Sequence, residues 1–421
     1  MKVKTILSII TLALISMLFC ACPEPKPTPP PPPPVEIADS LKTGLPILFI
    51  HTENEAPIVS KENYLSATIY MVNMDNPDNP TITLNTTTDI RGRGNDTWTL
   101  PKKPYRLKFH EKQSLFGLPE AKNWILLAND RDYTLLLTSV AFELGRRFEL
   151  PYTHHTFPVE VVLNGKHLGS YVLTENKEVG KGRVDIDKNE GWFVEVDTYW
   201  DEDPKFKSNI LKLPFMISSP EGLPDSGYDF VKNDINNFEA KLFDANYPNN
   251  DFMDLMNVNT FIDYIMINEI VQNREIFHPK SMYWNKDKGN DAKISLGPLW
   301  DFDWAFGFNL GMEKYFIGHS VLIFADHQEG TLIGEKLLSK LFESPELKKL
   351  YKQRWNEMKP VILSMTNYID TQAKMVQESQ KRNAKIWGWK GNKQDYMEEI
   401  ALMKQWWINR VNFLDSKIQT Y

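Results

Sequence analysis

The spacing of apolar positions divides the chain at about residue 225. Before that point they recur every second residue, the period of a strand with one buried face. LPILFIHT (45–52) reads as a strand and Asn54 to Pro57 as a turn, and LSATIYMV and TITLNTTTDIRGRG read as further strands. In Tyr105-Arg106-Leu107-Lys108-Phe109 the alternation is strict, which predicts a half-buried strand with a cationic outer face. WILLAND is a buried strand ending at Asn129-Asp130, and Leu136, Val140 and Leu144 carry a helical spacing over 133–148. VEVVLNGKHLGSYVLTE predicts a hairpin, because Asn164-Gly165 is a favoured type I′ pair between alternating segments, and its second strand delivers Glu175 at its end. GWFVEVD (191–197) adds a strand.

Beyond residue 225 the period lengthens. Helices are predicted over 225–243 and 258–272, the second apolar around so much of its circumference that it must be buried. A polar turn, 273–281, leads into a hairpin of SMYWNKD and AKISLGPLWDFD that turns at 288–291. Three more helices follow, over 331–342, 345–381 with a break expected near Pro360, and 393–416. The expected class is α+β, with a β-rich part at about 45–200 and a mainly helical part at about 225–421.

Composition adds limits. The 421 residues are 42% hydrophobic, enough for a large core, and the net charge of −7 argues against a nucleic-acid partner. Lys2 and Lys4 precede an apolar run that ends in Phe-Cys-Ala-Cys, too short for a permanent membrane span. A cysteine after a small residue at that place resembles a bacterial lipoprotein processing site, so 1–22 reads as a leader and Cys22 as the lipidated residue. The expected location is the cell envelope, with the membrane as a partner through the lipid. Pro23 to Pro34 holds nine prolines and reads as a polyproline spacer within a tether at 23–44. Both cysteines lie in the leader, which leaves none for a disulfide, a thiol nucleophile or a zinc site in the folded part.

The candidate chemistry centres on GPLWDFDWAFG (297–307). In an extended segment Asp301 and Asp303 would point to one face, and two carboxylates in an apolar wall call for a cation such as Mg2+, Mn2+ or Ca2+. A turn-capping Asp301 and an Asp303 paired with an arginine is the plainer alternative. RGRGNDTW followed by KKPYRLKF is a candidate anion site. Its two close glycines would admit an anionic group, Arg91 and Arg93 flank them, and Lys103, Arg106 and Lys108 add charge.

RGRGNDTW, KKPYRLKF, WILLANDRDYT, VVLNGKHLGSYVLTE and GPLWDFDWAFG, in this order, resemble the CotH family of spore-coat-type atypical protein kinases. The resemblance implies a two-lobed kinase-like fold that binds ATP with Mg2+ or Mn2+ and phosphorylates Ser or Thr of a protein partner. It makes Lys103 or Lys108 the phosphate lysine, Glu175 its ion-pair partner, and Asp301 with Asp303 the metal site. In place of the family's N-x-D the chain has Asn273-Arg274-Glu275, and Ser281 stands where an asparagine is expected. Glu275 thus falls at the catalytic-base position and Ser281 beside the metal. Two other readings fit the same residues. One is an inactive kinase fold serving as an envelope scaffold or adhesin. The other is a carbohydrate-active lipoprotein, given twelve tryptophans and paired acids.

Overall fold

The computed structural model describes residues 37–76, 80–323 and 332–421. The leader, Cys22 and most of the tether lie outside the described residues. Ile37 and Leu41, in the stretch read as the end of the tether, are buried with Ile47, Phe49 and Tyr70 on the first strands.

Seven strands close into a barrel in the order β1-β2-β3-β4-β5-β7-β6. They are β1 (Ile47–Thr52), β2 (Leu65–Asn73), β3 (Thr81–Gly92), β4 (Tyr105–Gln113), β5 (Ala121–Leu127), β6 (Phe157–Leu163) and β7 (Lys166–Glu175). Neighbours are antiparallel except β1 and β6, whose parallel pairing closes the ring and removes the exposed edge an open sheet would leave. The interior follows the sequence alternation: Tyr105, Leu107 and Phe109 of β4 are buried among Ile50, Ile69, Trp124 and Leu173. Asn164 and Gly165 both have positive φ, the type I′ geometry expected of the β6–β7 hairpin.

A second sheet, ordered β12-β11-β8-β10-β9, is built from β8 (Trp192–Val196), β9 (Lys205–Lys207), β10 (Pro214–Ser219), β11 (Met282–Lys286) and β12 (Ser295–Leu296). Against it pack α2 (Asp229–Leu242) and α3 (Val258–Ile270), whose Phe238 and Phe261 meet Trp284 edge-on at 5.9 and 6.2 Å. The remaining helices are α1 (Leu137–Arg147), α4 (Ile333–Leu341), α5 (Pro345–Trp387) and α6 (Tyr396–Ile418). The α+β class and the order of strand-rich and helix-rich parts match the sequence. The strand-rich part, as a closed barrel, departs from the lobe of a conventional kinase.

No break occurs at Pro360; α5 runs 43 residues through it. A proline inside a helix costs about 3 kcal/mol. Here it is outweighed by a continuous buried stripe, Tyr351, Trp355, Met358, Ile362, Met365 and Ile369, in which each large side chain contributes ~1.5–3 kcal/mol. The far end of α5 seals the barrel. Gly169 (φ +83) lets Asn383 approach to where a Cβ would stand 2.5 Å away, and Trp387 Nε1 donates to Leu168 O at 2.9 Å. Lys102, buried in the same seam, donates from Nζ to Ser170 O and to Asn383 Oδ1, and burial pulls its pKa down to about 7.

α6 is tied to α3 by an ion pair without solvent access. Arg410 Nη2 meets Glu269 Oε1 at 2.6 Å, and Glu269 also accepts from Ile323 N at 2.9 Å. Removing one partner strands a buried charge, so Arg410→Met is expected to lose about 3–5 kcal/mol of stability. The double variant Arg410→Met, Glu269→Gln should recover part of that loss in chemical denaturation.

Candidate functional site

A cleft of about 1530 Å³ lies between the barrel wall and the second sheet. Its acidic end is assembled by strand register. Val196 of β8 pairs with Met282 of β11, so Asp197 and Ser281 stand one residue beyond the pair at the same corner. Ser281 N donates to Asp197 Oδ2 at 3.0 Å and Ser281 Oγ to Asp301 Oδ2 at 3.3 Å, bridging two carboxylates. Ser281 (φ +50) and Asp301 (φ +57) both occupy the left-handed region, a conformation costing roughly 1–3 kcal/mol for a non-glycine residue.

Asp301 and Asp303 do not lie on an extended strand. β12 ends at Leu296, and 301–305 turns back with Ala305 N donating to Phe302 O at 3.0 Å. The alternation argument for their shared face therefore fails. The turn still keeps the two acids close, and the carboxyl of Asp303 is pushed up by burial and then by the charge of Asp301. Glu275 joins them from the loop after α3. Asn273, itself buried, donates from Nδ2 to Asp301 O at 3.1 Å and accepts from Glu275 N at 3.1 Å, which fixes the loop against the turn. Glu275 is 6% exposed, and its Oε2 is buried without a partner. Burial first, and Asp301 second, hold its carboxyl well above the usual range. Burial and then Glu195 raise Asp197 to about 6.

Cations face these acids. Arg93, half-buried over the Trp300 ring at 5.6 Å, has its pKa lowered by burial and restored in part by Asp301. Arg131 acts on Asp303 but is ion-paired to Asp96 at 2.6 Å. Lys177 lies over the rings of Tyr283 and Trp300 at 4.4 and 5.4 Å and pairs with Glu195 at 3.5 Å, while Tyr283 Oη donates to Glu195 at 2.5 Å.

The lysines named from the sequence are placed elsewhere. Lys103 Nζ donates to Trp98 O at 2.7 Å, and Lys108 is exposed near the Tyr64 ring; neither lines the cleft. Lys108 shares the outer face of β4 with Arg106 but stands further along the strand, beyond the cleft. Glu175 forms no pair with either. It accepts from His155 N and Nδ1, both at 2.7 Å, and faces Arg183 at 3.5 Å. The lysine–glutamate pair that lines the cleft is Lys177–Glu195. Both had a trace in the sequence: Lys177 follows Glu175 by two residues, and Glu195 interrupts the apolar run of GWFVEVD. Arg91 and Arg93 do line the cleft. The glycine between them serves packing, since a Cβ on Gly92 would stand 2.3 Å from the Trp98 ring, so Gly92 makes room for Trp98 rather than for a ligand.

Among the described residues, no three His, Cys, Asp or Glu side chains form a ready-made metal cage. Asp301, Asp303 and the Ser281 hydroxyl make a smaller oxygen set, the kind Mg2+ accepts when substrate phosphates complete its shell. The unpartnered Oε2 of Glu275 beside them fits such a cation.

A carboxyl held above its unfolded value binds its proton more tightly in the fold, so stability falls as pH rises above the ordinary carboxyl range. The metal-free protein should therefore melt lower at alkaline than at mildly acidic pH, and Glu275→Gln should flatten that slope. Asp301→Asn, by removing a neighbouring charge that raises Glu275, should leave the onset of that slope in place and end it at a lower pH. Melting temperatures across pH, with a chelator present, check both.

No match was found among curated proteins. The family model described as CotH kinase protein matches residues 90–414, a span that runs from β4 into the last turns of α6 and takes in every side chain of the cleft named above. The chain belongs to the CotH kinase family.

Proposed function

We propose that this protein is an atypical kinase that transfers the terminal phosphoryl group of ATP to a Ser or Thr hydroxyl of a protein partner, using Mg2+ or Mn2+. The observation that carries this is the convergence of Asp301, Asp303 and Glu275 with Ser281 in a single cleft, opposite Arg93 and Lys177. Family membership supports the reaction class, and a cleft between a β-rich and a helix-rich part supports a two-lobed reading. The leader and Cys22 support an envelope location, with the lipid in the membrane and the body held off it by the proline tether.

In the proposed reaction the acceptor oxygen bonds to the terminal phosphorus as the bond to the bridging oxygen breaks, and ADP leaves. Most of the catalysis of such a transfer is positioning and charge neutralisation. Asp301 and Asp303, with the Ser281 hydroxyl, would hold the metal, which would supply charge stabilisation to the transferring phosphoryl group. Arg93 and Lys177 face the same space and would stabilise the phosphate oxygens. Glu275 keeps its proton while Asp301 is uncompensated. Neutralising Asp301 would remove the second of the causes that raise Glu275 and bring its carboxyl nearer to the carboxylate form able to accept the acceptor's hydroxyl proton. Asn273 and Ser281 hold the two acids in register.

A second reading, an inactive scaffold that keeps the fold, is favoured by one feature: the acid at the base position holds its proton in the metal-free protein.

Transfer of phosphate from ATP should require Mg2+ or Mn2+, and Asp301→Asn should lower it by on the order of 10²-fold, the loss of several kcal/mol of charge stabilisation. Lys177→Met should also weaken transfer while Lys108→Met does not. A wild-type protein that neither transfers phosphate nor shows a thermal shift with ATP and metal removes the kinase reading; ATP binding without transfer leaves the scaffold.

A further inference from the structure

The long helix α5 carries its charge in two different ways. Over its first half, surface cations meet carboxylates: Lys349 pairs with Glu346 at 3.4 Å, Arg354 with Asp263 at 2.8 Å and Lys359 with Asp415 at 2.7 Å. From 374 to 393, through the end of α5 and into the turn before α6, six Lys or Arg stand against one carboxylate, Glu378, in a chain of net charge −7. Glu378 answers Arg382 at 3.0 Å and Lys381 at 3.5 Å. Lys374, Lys385, Lys390 and Lys393 are exposed, and among the described residues none of them pairs with a carboxylate. Like charges four residues apart, as at Lys381 and Lys385, destabilise a helix.

Apolar side chains are set among these cations. Met375 and Ile386 are exposed, and eleven residues, about three helical turns, put them on one stripe. A hairpin at 309–314, closed by Asn309 N donating to Lys314 O at 2.8 Å, presents Leu310 and Met312, 60% and 58% exposed. It is fastened to the turn after α5. Lys314 Nζ donates to Lys390 O and to Gly391 O, and Asn392 Nδ2 donates to Tyr315 O at 3.1 Å. Apolar groups held out to solvent within a basic surface suit the boundary of a bilayer, where headgroups meet the cations and acyl chains the rest.

The end of the tether lies on the same side of the molecule. Ile37 and Leu41 are buried with Val162 of β6. Val162 pairs with His167 of β7, and the next carbonyl, Leu168 O, accepts from Trp387 at the end of α5. Asp39, ion-paired to Lys42 at 2.9 Å, also feels the charge of Arg382. Fifteen residues separate Ile37 from Cys22, a reach of about 50 Å at full extension. That reach sets the farthest the body can stand from the bilayer, not which face turns toward it.

We propose that the end of α5 and the turn after it, from Lys374 to Lys393, together with the 309–314 hairpin, dock on an anionic lipid surface and fix one orientation of the tethered body. The ammonium groups supply an attraction that falls off within a Debye length, and Ile386, Leu310 and Met312 enter the headgroup region. The choice of a bilayer over another acidic surface rests on the envelope reading; the excess of unpaired lysines does not.

The test is co-sedimentation of the chain from residue 22 onward, carrying Cys22→Ser so that it cannot be acylated, with lipid vesicles. One set holds phosphatidylglycerol in phosphatidylcholine and the other phosphatidylcholine alone. The chain should bind the neutral set more weakly by on the order of 10-fold or more, and high salt should abolish the anionic binding. Lys385→Gln, Lys390→Gln and Lys393→Gln combined should weaken that binding by on the order of 10²-fold, with the melting temperature unchanged. Leu310→Ser with Met312→Ser should weaken it several-fold. Lys349→Gln, at the opposite end of α5, should leave it as it is. Equal binding to both vesicle sets, unchanged binding in the lysine variant, or an equal loss in Lys349→Gln would overturn the proposal. Binding to soluble polyglutamate with none to vesicles would overturn it too, and would assign the face to an acidic protein. The envelope reading fails differently. A wild-type chain made with its leader that gains no lipid sinks that reading, while a lipid-bearing wild type whose Cys22→Ser form ignores anionic vesicles sinks the docking face alone.

Discussion

Carboxylates gathered out of bulk water repel one another, and the cleft is organised around that repulsion. Asp301 is the shared neighbour: its charge contributes to raising both Glu275 and Asp303, and it is the charge Arg93 answers first. Left to themselves, three mobile side chains would swing apart into water. They cannot, because each is held by the backbone behind it. Asn273 ties the Glu275 loop to Asp301 O, and Ser281 bridges Asp301 to Asp197. The left-handed backbone at Ser281 and Asp301 is part of the same arrangement, local strain kept in place by surrounding bonds.

The acidic end alone does not make a transfer site. The barrel contributes the opposite sign on a stiff surface, since closure leaves no free edge at which β3 and β4 could splay. Arg91 and Arg106 are held adjacent by ladder register rather than by attraction, which is why their repulsion persists in the folded state. The helix-rich part supplies the acids and the strand-rich part the arginines, and only their joint position gives a cleft with two signs of charge.

Much of this was legible from residues alone. Strict alternation in YRLKF gave the strand, its buried face and its cationic one, and Asn164-Gly165 gave the hairpin and its turn type. The turn after α3 and the acids of WDFD both stand out as polar residues set in apolar surroundings, and they meet in the cleft. Contact partners were less visible. Lys103, Lys108 and Glu175 follow the order of the motifs along the chain, but Lys108 stands further along β4 than Arg106, beyond the cleft, and Glu175 finds His155 and Arg183 through the tertiary fold. Barrel closure was equally hidden, because it depends on the parallel β1–β6 pairing between segments over a hundred residues apart, which leaves no local signal. Pro360 misled in the opposite direction: a strong local rule gave way to a long buried stripe.

The seam between Lys102 and Asn383 has a consequence for how the molecule comes into being. These residues are 281 positions apart, and the lysine's ammonium lies sealed beneath the end of α5. A growing chain makes all seven barrel strands long before it makes Asn383. Until that helix arrives, the seam around Ser170 and Gly169 stands open to water, and Lys102 has no side-chain amide to receive it. The seam is therefore covered by a helix that comes far later in the sequence than the strands it packs on.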